Sequence, residues 1–553
     1  MKKIGLFILS IVHLFTLQQI LYSYDLSSIS GEEDIYDLFY HSEISDEEKN
    51  NLLFLLENPL DLNQTDKYQL TSLPGINIQL AEKIIKLRED KNGFTNINEL
   101  ISISEISDKM IRDWRPFVKI ILKDKNYFYN KIKYKESFTQ EEEEEPYILD
   151  ELILRRGKYV IGFLGGYNSM EDYHLKKGIP KHFLLYNNGK FIKNIIFGNY
   201  KVNFGSGVTL SNSRQDEGFS PDTGTRHKFY GTGLTIEPHK NIFLSYLHSA
   251  PNKDVEKEMQ EFLDGLNIEY KKPDKSLNIG ITYFKSKIIL KDDSTNISWY
   301  REDNNPISFS GLYLKFNIEN LSFTSEVART GSGIPGAIFK IVSDYTKTAT
   351  VFLYRYYEKD FINPYSLSFA SNDDEPDNTD EKGIYLKIIH KPIERLSVGG
   401  DYDLWQHPST DISAQRSNIQ IKSKFTNHLT GEYTRTWKFE EIGKPCELNN
   451  TIQFNVIPYK KLELILSFKE YKENASLDRS KSTKLSYSFD KASLLDYKLK
   501  VNEEDINHNN KQNWEYYIQY RLSLIEKIYF YLRYVRLDYK KESRLAGEFR
   551  IYW

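Results

Sequence analysis

The chain has 553 residues, a formal net charge of -4, one cysteine and a mean hydropathy of -0.55. That hydropathy excludes a protein built from membrane-spanning helices, and a single thiol excludes an intramolecular disulfide framework. A 14% aromatic share, with 40 Tyr and 32 Phe, instead favours a β-rich protein.

Met1, Lys2 and Lys3 precede an apolar run from Ile4 to Leu17, and Leu21, Tyr22, Ser23 and Tyr24 follow. This pattern predicts a secretory signal peptide over residues 1–23, cleaved near Ser23. No cysteine stands near that point, which excludes a lipoprotein anchor. Residues 24–58 read as an acidic helical preface. Within it Ser45 and Glu48 form a capping box for a helix carrying Leu52, Leu53, Leu55 and Leu56, and Pro59 stops that helix. Residues 24–59 hold ten acidic side chains and one basic.

From Pro59 to Ile120 the sequence changes character. The entry Asp61-Leu62-Asn63 is followed by the hairpin Leu73-Pro74-Gly75-Ile76 and the helical stretch Ala81-Glu82-Lys83-Ile84-Ile85. Gly93-Phe94 precedes a third helix, and Arg115-Pro116-Phe117 closes the segment. Over these sixty or so residues the chain resembles the tandem helix-hairpin-helix domain of the ComEA-like competence proteins, and the domain is expected over residues 59–122. The resemblance implies a compact all-α module that grips the backbone of double-stranded DNA without reading its sequence.

On the residues, Gly75 permits the crowded turn, and the helix after it begins with amides at Ile76, Asn77 and Ile78 aimed at an anion. Lys83 and Lys86, one turn on, add charge along the strand. The predicted backbone-binding set is therefore Gly75, Ile76, Asn77, Ile78, Lys83 and Lys86, with no metal and no cofactor. Two departures oppose it. Asn77 stands where the pattern has a second glycine, and Ser104-Glu105-Ile106-Ser107 replaces the Gly-Ile-Gly of the second hairpin, where Glu105 repels a phosphate. Residues 60–120 hold nine acidic and nine basic side chains, so the module lacks the cationic excess that drives non-specific DNA binding. Leu73, Ile76, Leu80, Ala81 and Ile84 are spaced to pack inward under either function.

Beyond Asn126 the chain alternates. Leu277, Ile279, Ile281 and Tyr283 oppose Asn278, Gly280, Thr282 and Phe284, and Ile452, Phe454 and Val456 oppose Thr451, Gln453 and Asn455. Trp514, Tyr516, Ile518, Tyr520, Leu522 and Leu524 oppose Glu515, Tyr517, Gln519, Arg521 and Ser523. The last strand sets Leu545, Gly547, Phe549, Ile551 and Trp553 against Ala546, Glu548, Arg550 and Tyr552, and its terminal aromatic is similar to the assembly signal of outer-membrane barrels. Turn signals such as Asn187-Asn188-Gly189 and Pro273-Asp274 separate the strands, and the acidic run Glu141 to Glu145 reads as a solvated hairpin loop.

A soluble sandwich of this length would divide into repeats, and none is found. At roughly 18 residues per strand and turn, residues 126–553 predict an antiparallel transmembrane β-barrel of about 22 to 24 strands. The segment Gly198 to Gly207, followed by Phe229-Tyr230-Gly231, is similar to the barrel of a group of helix-hairpin-helix outer-membrane proteins. Its glycines mark places where neighbouring backbones or an inward loop come close.

No zinc-protease, nucleophile-elbow or Walker motif occurs, and 11 His residues are scattered. Asp254, Glu256, Glu258 and Glu261 alternate with Lys253 and Lys257 as a solvated surface. The expected protein is thus α+β multidomain and not an enzyme. It lies in the bacterial outer membrane against lipid, with its module periplasmic or in the lumen. Two functions follow. In the first the module binds double-stranded DNA during uptake. In the second the protein is a channel or assembly scaffold whose module binds a periplasmic protein or plugs the barrel.

Overall fold

The computed structural model describes most of residues 46–552. The main exceptions are 121–126, 139–146, 168–180, 213–217, 223–228, 251–258, 291–305, 371–379, 442–446, 507–510 and 538–541, with isolated positions elsewhere. Only six residues before 46 are described: Leu26, Ile29, Ile35, Tyr36, Leu38 and Ile44. The leader, Ser45, Asn77, the run Glu141 to Glu145, the stretch 253–258, Cys446 and Trp553 lie outside the described residues.

The first described unit is helical. Helix α1 (Asp46–Glu57) ends two residues before Pro59, since a residue preceding proline is steered out of the α-region. Helix α2 (Lys67–Leu70), helix α3 (Ile78–Asp90) and helix α4 (Asp108–Trp114) follow, with a 3₁₀ turn at Ile97–Ser102 between the last two. A two-residue parallel pairing of Leu60–Asp61 with Val118–Lys119 ties the start of the unit to its end. The unit has an apolar core of its own, in which Leu73, Ile76, Leu80, Ala81 and Ile84 are all buried alongside Phe94, Leu100, Ile111, Trp114 and Phe117.

The remainder is β-structure. Twenty-six strands form one sheet, antiparallel throughout. Two of them, Leu210–Ser211 and Gly218–Pro221, are short and pair only with the strand Ile192–Phe204, which leaves 24 strands in a closed ring. The final strand, Glu542–Tyr552, closes the ring on the first, Tyr127–Phe138, from Ser543 opposite Phe138 to Tyr552 opposite Tyr129. The last strand therefore completes the barrel, at the upper end of the expected strand number.

Which face is buried separates this barrel from a soluble sandwich. Ile268 and Ile281 are 55% and 58% exposed, whereas Asn267 and Thr282, their polar neighbours along the strand, are 1% and 0% exposed. Ile518 points outward beside the inward Tyr517 and Gln519 in the same way. Apolar side chains outside and polar ones inside is the arrangement lipid imposes, because every backbone group is satisfied around a closed ring. Turns of two residues, as at 157–158, 240–241 and 319–320, lie at the end where the chain enters and leaves the barrel. Longer connections lie at the other end.

Two of those longer connections turn into the lumen. Residues 205–212 with 218–222, and residues 358–370, pack on one inner wall with Phe284, Phe309 and Tyr313. Phe284 stacks on Phe309 at 5.1 Å and meets the edge of Tyr365 at 5.2 Å. The strand ends at Phe204, so Gly205 and Gly207 belong to an inward loop itself, not to strand positions that a loop approaches. Gly205 sits at φ +66° and Gly207 at φ +85°, and a Cβ on Gly205 would fall 2.7 Å from Glu326 Oε2.

Candidate functional site

The two hairpins of the helical unit share one backbone plan. In the first, the Leu73 N–H donates to Leu70 O at 3.1 Å and the Ile76 N–H to Leu73 O at 3.2 Å. In the second, Ile103 donates to Leu100 O and Ile106 to Ile103 O, both at 3.0 Å. Gly75 adopts φ +87°, as the first turn requires. Because the Ile76 amide is spent on Leu73 O, it is not the free donor the sequence suggested. Asn77 lies outside the described residues, and Ile78 is the first residue of α3.

Side chains then bolt the hairpins together. The Trp114 indole donates to Pro74 O at 2.6 Å, fastening the last helix beneath the first turn. Asn63, almost fully buried, accepts from the Phe94 amide at 2.7 Å and donates to Phe94 O at 2.9 Å, bridging the entry to the turn after α3. Gly93, at φ +103°, ends α3 with its amide on Arg88 O. Arg88 donates to Leu62 O and Thr65 O, so its charge serves the fold.

The charges fall differently from what a DNA grip needs. Lys83 is exposed but paired with Glu105, the residue that replaces glycine in the second hairpin. That pairing, with a hydrogen bond from Ser104, holds the Glu105 carboxyl below its usual range. Lys67 pairs with Glu82 at 2.8 Å and Lys91 with Glu99 at 2.8 Å. Burial pushes the Glu99 carboxyl up. Hydrogen bonds from Lys91, Thr95 and the Asn96 amide outweigh it and hold the group at about 2. Of the six predicted residues, Lys86 alone presents an exposed charge without an ion pair among the described residues.

Helix α4 faces the barrel. Arg112 lies 3.5 Å from Glu463, an inward residue near the start of the strand Leu462–Glu473. Lys109 pairs with Asp113 at 2.7 Å, and both lie close enough to bear on the charge of Lys422, which pairs with Glu432 at 2.9 Å on the same inner wall. None of these barrel residues was singled out in the sequence, which gave no sign of their partner.

Deeper in the lumen, buried Glu326 accepts from the Ser206 amide at 2.5 Å, the Val208 amide at 3.2 Å and the Thr209 amide at 2.8 Å. Asn363 donates to Val208 O and Thr209 O, joining the two inward segments. Arg355, fully buried, pairs with Glu381 and with Asp403 at 2.8 Å. Glu326 and Asn363 lock loops to the wall, while Arg355 ties three neighbouring strands of the wall to one another. No group of metal-ligating side chains occurs among the described residues.

Residues 57–119 match the family model of the helix-hairpin-helix motif. No curated protein matches the chain. Among solved structures, the chain is similar to the translocation pore of the P pilus usher PapC, at 6% identity over 77% of this chain and 99% of that one, TM-score 0.42. It is also similar to OccK7 of Pseudomonas aeruginosa, at 9% over 77% and 98%, TM-score 0.33. The FrpB iron transporter of Neisseria meningitidis follows at 9% over 78% and 83%, TM-score 0.36. The chain is a helix-hairpin-helix module joined to a large β-barrel, and the barrel stands on its own strand order.

Proposed function

We propose that the protein is a non-enzymatic outer-membrane channel or scaffold whose helix-hairpin-helix module docks on the barrel's own inner wall, at the periplasmic mouth. The approach of Arg112 to Glu463 carries this reading. Both charges are mostly shielded, at 16% and 13% side-chain exposure, so solvent and salt screen the contact less than a surface pair. Short turns and both barrel termini lie at that end, the periplasmic end by the usual outer-membrane pattern. The module's neutral balance and the engagement of Lys83 by Glu105 fit a protein contact better than a phosphate grip.

Conductance of the full chain in planar bilayers tests the reading. Arg112→Glu should raise open probability by repelling Glu463, and the double reversal Arg112→Glu with Glu463→Arg should restore the closed level. Identical conductance in all three would overturn docking.

One observation favours a second reading, DNA handling in uptake. Gly75 keeps its left-handed turn three residues before a 13-residue helix, and Lys86 is exposed about two turns along that helix. Titration of labelled duplex with the full chain in detergent decides it. Binding no tighter than about 10⁻⁴ M at low salt would end the uptake reading.

A further inference from the structure

We infer that the outer face of the barrel, at the long-connection end, holds a binding site for the phosphorylated headgroup of an outer-leaflet lipid. The strands concerned are Ile242–Ser249, Met259–Lys271, Leu277–Leu290, Ile307–Ile318 and Leu321–Thr330.

Register places the side chains in rows. Leu244, Ile268, Ile281, Leu312 and Val327 lie across one another on the outer face and form the apolar belt. One step toward the long connections lie Tyr246, Leu266, Tyr283, Ser310 and Arg329, with Tyr246 41% and Tyr283 47% exposed. A tyrosine pair at the edge of an apolar belt marks the membrane interface. The next row is His248, Asp264, Lys285 and Ser308, and Lys287 stands one step beyond Lys285.

Lys285, Lys287 and Arg329 are exposed, and among the described residues none of them has an ion pair. Asp264, the carboxylate opposite Lys285, is taken by the Tyr246 hydroxyl and the His248 ring, each at 2.9 Å on the same oxygen. Arg329, exposed, donates through Nε to Ser310 Oγ at 3.3 Å. From strand spacings, the Cα atoms lie about 7 Å apart for Lys285 and Lys287, about 12 Å for Lys285 and Arg329 and about 17 Å for Lys287 and Arg329, a spread that long side chains can bring onto a headgroup carrying two separated phosphates.

The other side of the barrel shows the contrast. At a similar depth its outward cations face carboxylates, Arg479 with Glu470 at 3.2 Å and Lys481 with Glu503 at 2.9 Å. A cation that only reaches for water would need no such difference between walls.

The inference rests on the outer-membrane reading above. Its test is native mass spectrometry of the full chain, folded in detergent, with a bisphosphorylated glucosamine lipid, phosphatidylcholine or inorganic phosphate. The glycolipid should stay bound and phosphatidylcholine should not. Lys285→Gln, Lys287→Gln and Arg329→Gln together should lower retention by about tenfold, as loss of charge-assisted bonds predicts, while Arg479→Gln with Lys481→Gln retains it. Equal retention by the triple variant would overturn the site, and so would equal retention of inorganic phosphate, which needs no lipid. Heat-modifiability on gels confirms that each variant is folded. A folded protein found in the outer-membrane fraction without bound glycolipid would refute this inference alone, whereas recovery outside that fraction would refute the reading beneath it.

Discussion

The helical module and the barrel solve opposite packing problems with the same residue types. In the module Ile84 is fully buried and Lys86 exposed, whereas in the barrel Ile281 is 58% exposed and Lys201 fully buried. The module faces water, which expels its apolar side chains to the inside. The barrel faces lipid, which accepts apolar groups and drives polar ones to the lumen. Exposure therefore means tolerance in one region and constraint in the other.

The largest expected effect comes from opposing a buried charge in the barrel. Arg355→Leu leaves Glu381 and Asp403 without their partner, and should cost about 3 to 5 kcal/mol, seen as loss of the heat-modifiable folded band. Ile281→Arg should follow at about 2 to 4 kcal/mol in a lipid-based unfolding titration, because its side chain faces the hydrocarbon. Lys86→Ile, an equally exposed change in the water-facing module, should move the melt by less than about 0.5 kcal/mol. Equal costs for these two would break the comparison.

Within the module, Gly75→Val should cost about 1 to 3 kcal/mol, because a β-branched residue is strained at φ +87°. A melt unchanged by the substitution would mean the turn relaxes freely. The smallest effect concerns Glu99, whose carboxyl is held at about 2 against an ordinary 4.5. A folded value below the unfolded one stabilises at neutral pH, and that contribution is lost as pH falls from 4.5 toward 2. Glu99→Gln should flatten the pH dependence of the module's melt across this window, and an unaltered slope would assign the loss to other carboxylates.

Much of the architecture was legible because it is periodic. Period-two alternation needs only neighbours in sequence, so the facing sets around Ile281, Ile452 and Ile518 could be read directly, and chain length then bounded the strand number. The hairpin turn was legible for the same local reason, since Gly75 declares its own φ. The site was less so. Nothing near Ile76 in sequence reveals that its amide is consumed by Leu73 O. The pairing of Lys83 with Glu105, and the approach of Arg112 to Glu463, depend on tertiary closure that no local pattern carries. Glu326 was not singled out at all, because its grip on the amides of residues 206–209 spans more than a hundred residues of chain.

Closure of the ring between Tyr127–Phe138 and Glu542–Tyr552 also orders events in time. Contacts within the module join residues close in sequence, while the closing seam joins segments more than four hundred residues apart. Local contacts form early, and such a distant pairing forms last. The module is therefore expected to be folded before the ring is shut. The barrel must then close beside a finished object tethered to its first strand, so α4 meets the inner wall from the mouth at which the chain enters.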